Sequence, residues 1–171
     1  GMVFQQFNLV RRLSVLTNVL AGRLGYVPPS LSLLNHFPRE ERERAMRCLE
    51  RVGIADKAHV RADQLSGGQQ QRVAIARALM QEPRLVLADE PVASLDPATS
   101  HSVLKYLEQL NKEEGITVLC SLHFLSLARR YATRIVALRA GELVFDGLPT
   151  EIDEKRFKEI YGEDAIQVEV A

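Results

Sequence analysis

Three short apolar runs constrain this chain more than anything else in it: Arg84-Leu-Val-Leu-Ala88, Ile116-Thr-Val-Leu-Cys120 and Arg134-Ile-Val-Ala-Leu138. Their apolar residues are consecutive rather than alternate. A strand buried on both faces reads this way, whereas a strand with one wet face alternates. Helical spacing fills the intervals, over Pro97 to Glu114 with Asp96 placed as its N-cap, and over His123 to Tyr131. Strands alternating with helices build a parallel sheet covered by helices, so we expect an α/β domain in which these three runs are parallel strands. Leu138 to Phe145 reads as a hairpin turning at Gly141, and Asp153 to Tyr161 as a charged amphipathic helix.

The first half of the chain is mainly helical. Ser14 to Gly25 carries Val15, Leu16, Val19, Leu20 and Leu24 at helical spacing. Tyr26 to Phe37 reads as a loop broken by Pro28-Pro29, with leucines that are unusually apolar for a surface loop. Pro38 starts a helix that runs to Val52, and Gly53 is placed to cap its end. Its interleaved arginines and glutamates, such as Glu43 and Arg47, form a solvated, ion-paired face rather than a nucleic-acid stripe.

Composition narrows the class. The 171 residues carry 22 basic and 22 acidic side chains, for a net charge of zero, which argues against a bulk nucleic-acid binder. An apolar share of 46% excludes disorder, and two cysteines in different settings read as reduced thiols rather than a disulfide scaffold. No run of apolar residues is long enough to span a membrane, and we expect a cytoplasmic protein.

The candidate chemistry lies in a few short segments. Leu65-Ser66-Gly67-Gly68-Gln69 opens a helical run, Gln70 to Gln81. Glycines before a helix let backbone N–H groups and the positive helix end approach an anion, although such a turn is by itself more often only a turn. Leu85-Val-Leu-Ala-Asp89-Glu90-Pro91 ends a strand in two adjacent carboxylates, one suited to Mg2+ and its neighbour to a water proton. Alone, that pair is more often a solvated loop. Ser94-Leu95-Asp96-Pro97 reads as a helix N-cap, and His123 closes the next strand on the same sheet edge as Glu90.

Taken together, LSGGQQQR, LVLADEP, SLDP and a histidine after the following strand resemble the ATP-binding-cassette (ABC) ATPases, over essentially the whole chain. Val3 to Leu9 looks like the family's Q-loop, with Gln5 at the glutamine position. The resemblance implies a P-loop NTPase-like (RecA-like) parallel sheet with a helical subdomain at about 9–60. The signature helix and catalytic core then fall at 61–150, and a C-terminal helix and tail at 151–171. It implies that Ser66, Gly67, Gly68 and Gln69 bind the γ-phosphate of ATP held by the opposite subunit of a head-to-tail dimer. Asp89 then supports Mg2+, Glu90 polarises the attacking water, His123 contacts the γ-phosphate, and Ser94 to Asp96 form the D-loop at the dimer interface. Gln5 reaches the Mg2+ and water site and senses a transmembrane permease, on which the helical subdomain docks, with Tyr26 to Phe37 part of that surface. A substrate-binding protein is an indirect partner, and the place is the inner face of the cell membrane.

One motif of the family is absent: no G-x-x-x-x-G-K-[ST] occurs in the sequence. The chain thus resembles the C-terminal part of a nucleotide-binding subunit, without the P-loop strand and antiparallel subdomain, and is expected to bind ATP weakly and hydrolyse it negligibly alone. We also expect the sheet, lacking that strand between Ser121 and Arg134, to close by strand rearrangement or an intermolecular contact. The stretch FQQFNLVRRLSVLTNVLAGRLG looks most like phosphonate importers. The alternatives are a soluble ABC ATPase of DNA repair or translation, and a catalytically silent interaction fragment.

Overall fold

The structure is a computed structural model and describes residues 1–30 and 36–162. It divides into two compact units, Gly1–Ser121 and Leu122 onward, which are described in turn.

In the first unit a parallel sheet has the order β1 (Met2–Val3), β2 (Leu85–Ala88), β3 (Thr117–Cys120). The register aligns Met2 with Leu87 and Leu87 with Leu119 on one face, and Val3 with Ala88 and Ala88 with Cys120 on the other. The second face is dry: Val3, Val86 and Ala88 are no more than 3% exposed. The first is apolar but open, with Met2 at 41%, Leu87 at 39% and Leu119 at 62%. The continuous apolar runs therefore describe residue type correctly, while only one face of the sheet is covered within the described residues.

Four α-helices lie wholly within the described residues of this unit: α1 (Val15–Leu20), α2 (Arg39–Arg51), α3 (Gly67–Leu79) and α4 (Pro97–Glu114). The predicted first helix ends early, at Leu20, and continues as a 3-10 turn over Ala21–Arg23. Ser14 caps α1, accepting from Thr17 N. Asn18, which interrupts the apolar pattern, is 1% exposed and fully employed. Its Nδ2 donates to the carbonyls of Val10 and Ser14, and its Oδ1 accepts from Val10 N at 2.8 Å. A buried amide satisfied in this way costs little and pins the chain before α1 onto the helix. Pro29 and Ser30 are helical, so helical backbone begins at the second proline, within the expected loop. The leucines beyond them lie outside the described residues.

α1, α2 and α3 pack together around Val15, Val19, Ala45, Leu49, Val73 and Ile75, all fully buried. Arg23, whose side chain is only 11% exposed, binds Glu41 at 3.1 Å and Glu82 at 3.6 Å, while Arg44 pairs with the same two carboxylates. The network satisfies a cation that the packing takes out of water. Gly53 stands at φ +67° behind α2, as the cap position requires. Asp96 caps α4, and Gly115 ends it in the left-handed region.

The second unit holds α5 (Leu125–Tyr131), β4 (Ile135–Arg139), β5 (Glu142–Gly147) and α6 (Glu154–Tyr161). Leu125, Ile152 and Phe157 form its small core, with Ile135, Phe145 and Ile160 against them. Here one expectation is corrected. The run Arg134 to Leu138 is not a parallel strand; it pairs antiparallel with β5 in a separate two-stranded sheet. The reason is local: Ala140 and Gly141 both take positive φ, the geometry of a two-residue hairpin turn, so the strand meets its sequence neighbour first. The hairpin at Gly141 is as expected. Among the described residues β3 pairs only with β2, and β4 only with β5, so no strand rearranges to fill the outer edge of β3.

The unequal faces of the first sheet set a stability test. Val86→Ala, on the dry face, is expected to cost about 2 kcal/mol, and Leu119→Thr, on the open face, under about 0.5 kcal/mol. Urea unfolding of the two variants measures the difference, and equal costs would contradict the assignment of faces.

Candidate functional site

A parallel sheet delivers the carboxyl ends of its strands to one edge, where ligands bind in open α/β folds. In the first unit β1 leads into Phe4 and Gln5, β2 into Asp89 and Glu90, and β3 into Ser121. Backbone bonds continue the ladder past the strands, from Asp89 N to Val3 O and from Ser121 N to Ala88 O, each 2.9 Å. The Ser121 hydroxyl then sits between the two acidic residues. It donates to Asp89 Oδ1 at 3.0 Å and accepts from the backbone N–H of Glu90 at 2.8 Å. Glu90 has φ +44°, a left-handed conformation that costs an L-residue about 1–2 kcal/mol. Backbone strain of this kind concentrates at functional sites. Ser121 did not stand out in the sequence; the available signal was a hydroxyl at the first position after a strand.

Cys120, half-buried on β3, has its thiol pushed up to about 12 by burial and then by the charge of Asp89. Beyond Glu90 the chain turns tightly, Ala93 N donating to Glu90 O and Leu95 N to Val92 O. Asp96 follows as the N-cap, its Oδ1 accepting from Thr99 N at 3.0 Å. A hydrogen bond from the Thr99 side chain, and after it the one from the Thr99 backbone, holds the exposed Asp96 carboxyl below the usual carboxylate range.

The segment with Gln5 is equally constrained. Gln5 is exposed in the turn after β1, and the next residues but one, Phe7 and Asn8, take φ +54° and +50°. Arg77, far along the chain on α3, donates from its two terminal nitrogens to the carbonyls of Phe7 and Asn8, at 2.8 and 2.5 Å.

At the start of α3 a capping box is complete. The Ser66 Oγ accepts from Gln69 N, and the Gln69 side-chain oxygen accepts from Ser66 N at 3.0 Å. The N–H groups of Gly67 and Gly68, in the first turn, have no acceptor within the helix and are its remaining donors. Ser66 keeps its hydroxyl proton to donate. Gly68 has a second reason to be glycine: a Cβ there would fall 2.1 Å from Thr99 Cγ2. A Cβ at Gly67 would meet Leu95 at 3.2 Å and the Phe7 ring at 3.8 Å. Thus the Gln5 segment, the turn before α4 and the first residue of α3 converge.

Of the sequence-predicted residues, Gln5, Asp89 and Glu90 share the sheet edge, while Ser66, Gly67, Gly68 and Gln69 form the head of α3, against the Leu95–Thr99 segment that contains Asp96. His123 belongs to the second unit, exposed in the loop before α5, with its carbonyl accepting from the Tyr161 hydroxyl at 3.3 Å. Among the described residues no cluster of three His, Cys, Asp or Glu side chains could hold a metal. The donor set suits Mg2+ nonetheless, since that ion takes one or two carboxylates and completes its shell with water and phosphate. Asp89 is exposed and oriented by Ser121 through one oxygen, so the other is available.

Two outcomes follow from this geometry. Gly68→Ala is expected to destabilise the protein by about 1–3 kcal/mol through overpacking. Thr99→Ser, which removes the obstructing methyl, is expected to restore most of that in the double variant by urea unfolding; no recovery would place the clash elsewhere. For Cys120 the thiolate is the reactive form, and raising the pKa removes it at ordinary pH. Its alkylation by iodoacetamide, followed by site-resolved mass spectrometry, is expected to keep rising well above pH 9. The unfolded chain releases that proton first, so the stability Cys120 contributes is complete below the ordinary thiol value and is lost as pH climbs towards about 12. A plateau in alkylation near pH 9 would contradict both.

The sequence profile of the ABC transporter family matches residues 1–93. A phosphonates import ATP-binding protein PhnC of Bdellovibrio bacteriovorus is 62% identical over 168 residues, 98% of this chain and 64% of that protein. The phosphonates import ATP-binding protein PhnC 3 of Halalkalibacterium halodurans is 59% identical over 162 residues, 95% of this chain and 63% of that protein. The chain thus spans less than two thirds of the length of these relatives. Among solved structures, the dimeric structure of MJ0796, a bacterial ABC transporter cassette, superposes with a TM-score of 0.71 at 39% identity, covering 87% of this chain and 62% of that one. With more than half its length matched by the profile and its fold shared with a cassette of known structure, the chain belongs to the ABC transporter family.

Proposed function

We propose that this chain serves in the ATP-hydrolysing subunit of a phosphonate importer. The observation that carries the reading is the Asp89–Ser121–Glu90 arrangement at the carboxyl edge of a parallel sheet, on a chain about 60% identical to phosphonate-import ATP-binding proteins. Asp89 and Gln5 would hold Mg2+, which when bound neutralises phosphate charge. Ser121 fixes the Asp89 carboxylate and takes up the Glu90 backbone N–H. Glu90, the next residue along, would accept a proton from the attacking water. His123, whose carbonyl accepts from the Tyr161 hydroxyl, would contact the terminal phosphate.

The head of α3 acts outward. The hydroxyl proton of Ser66 and the N–H groups of Gly67 and Gly68 favour an anion, and the helix dipole adds to them. Gln69 maintains the turn by holding Ser66 N. In this reading the anion is the terminal phosphate of ATP on a second ABC subunit, reached across a dimer interface that includes Asp96. ATP and Mg2+ are therefore shared cofactors of the pair. The helical region at about 9–60 docks on a transmembrane permease, a substrate-binding protein acts indirectly, and nucleic acid has no part. Among the described residues no helix is long and apolar enough to cross a membrane. The proposed location is the cytoplasmic face, held there by the permease.

Glu90→Gln is the decisive change. In the assembled transporter it is expected to lower ATP turnover by about 100-fold or more, the scale of a lost general base, while ATP binding persists and the ATP-bound dimer accumulates. Steady-state turnover with nucleotide-trapping measurements checks this. Undiminished turnover would reassign the role of Glu90.

A further inference from the structure

Two consecutive residues with side chains, Phe7 and Asn8, occupy the left-handed backbone region. L-residues avoid it, and two in succession need outside support. Their N–H groups are used locally, Phe7 N donating to Phe4 O and Asn8 N to Gln6 O. Their carbonyls are not. Both turn to Arg77, whose separate terminal nitrogens each take one, across 70 and 69 positions of sequence. Only a planar guanidinium presents two such donors in a fixed fork; a lysine ammonium is a point charge without that geometry. The Phe7 side chain meets the other end of the same helix, its ring 3.8 Å from where a Gly67 Cβ would stand. One helix therefore holds this turn twice, by polar contacts near its end and by a ring at its start.

We propose that Arg77 is a positioning residue that fixes Gln5: by clamping the carbonyls of Phe7 and Asn8 it locks the turn after β1 to α3, so that Gln5 and Ser66 are carried by one rigid body. A displacement imposed at Gln5 then moves the head of α3 instead of being absorbed by the intervening backbone. The functional half of this inference rests on the role proposed above for Gln5; the mechanical half does not.

The test has two arms. Arg77→Lys and Arg77→Met are compared with the parent chain by backbone hydrogen exchange. Both variants are expected to speed exchange about tenfold at residues 4–9, the scale of a lost charge-assisted hydrogen bond, with the amides of α3 unchanged. Unchanged exchange at 4–9, a uniform loss across the first unit, or full rescue by lysine would overturn the proposal. In the assembled transporter, as its gene encodes it, Gln5→Ala and Arg77→Lys are then combined. Each is expected to lower kcat with KM for ATP held, and the double variant to be no slower than Gln5→Ala alone, because both remove the same placement. Multiplying effects, or a change confined to KM, would overturn the coupling. If Gln5→Ala leaves kcat unaltered, the reading of Gln5 fails, and the exchange arm still decides what Arg77 holds.

Discussion

The first unit is built against one helix. α3 buries eight of its thirteen residues, among them Gly68, Val73, Ala74, Ile75, Ala76 and Ala78. Small residues dominate, so neighbours approach its backbone closely. At Gly22, for example, a Cβ would fall 2.3 Å from the Arg77 carbonyl oxygen. Close approach of this kind leaves few alternative packings, because interiors are dense and adjust poorly to an added methylene. The helix also carries its capped end in the open. Ser66 is exposed while the body behind it is not, so a rigid core presents a solvent-facing cap. Gln71 on the same helix is fully buried, and among the described residues neither of its amide atoms has a hydrogen-bond partner, a cost that a well-packed apolar residue would not bring.

The sheet edge follows a complementary logic. Parallel register puts Val3, Ala88 and Cys120 level, so the residues that follow each strand emerge side by side. A single hydroxyl then links two of the three exits. The Asp89 carboxylate and the Glu90 backbone are thereby held in place, which is the fixed arrangement that electrostatic preorganisation requires.

Much of this was legible because it is local. Asp96 followed by Pro97 is a capping pattern whose hydrogen bond closes within four residues, and α4 starts where that pattern places it, whereas α3 starts at Gly67, three residues before the run expected from Gln70, because Ser66 and Gln69 close a capping box there. β2 and β3 were readable from their apolar runs. The same kind of run misassigned β4, because consecutive apolar residues state what a strand buries and not with whom it pairs. The deciding information lay next to it, in Ala140-Gly141. Contacts between distant positions were silent. Nothing adjacent to Arg77 in the sequence announces the carbonyls of Phe7 and Asn8 that it binds. Gly68 was read as room for an anion, whereas its nearest occupant is the methyl of Thr99, 31 positions away.

Cys120 gives the acidic edge a chemical character of its own. Thiolates attack peroxides and disulfides, and a thiol held protonated to about 12 supplies almost no thiolate at ordinary pH. The sulfur neighbours Ser121 in sequence and feels the charge of Asp89, where a sulfenic acid or a mixed disulfide would disturb both. Burial first and the Asp89 charge second thus keep the sulfur in its unreactive, protonated form beside the hydroxyl that holds Asp89.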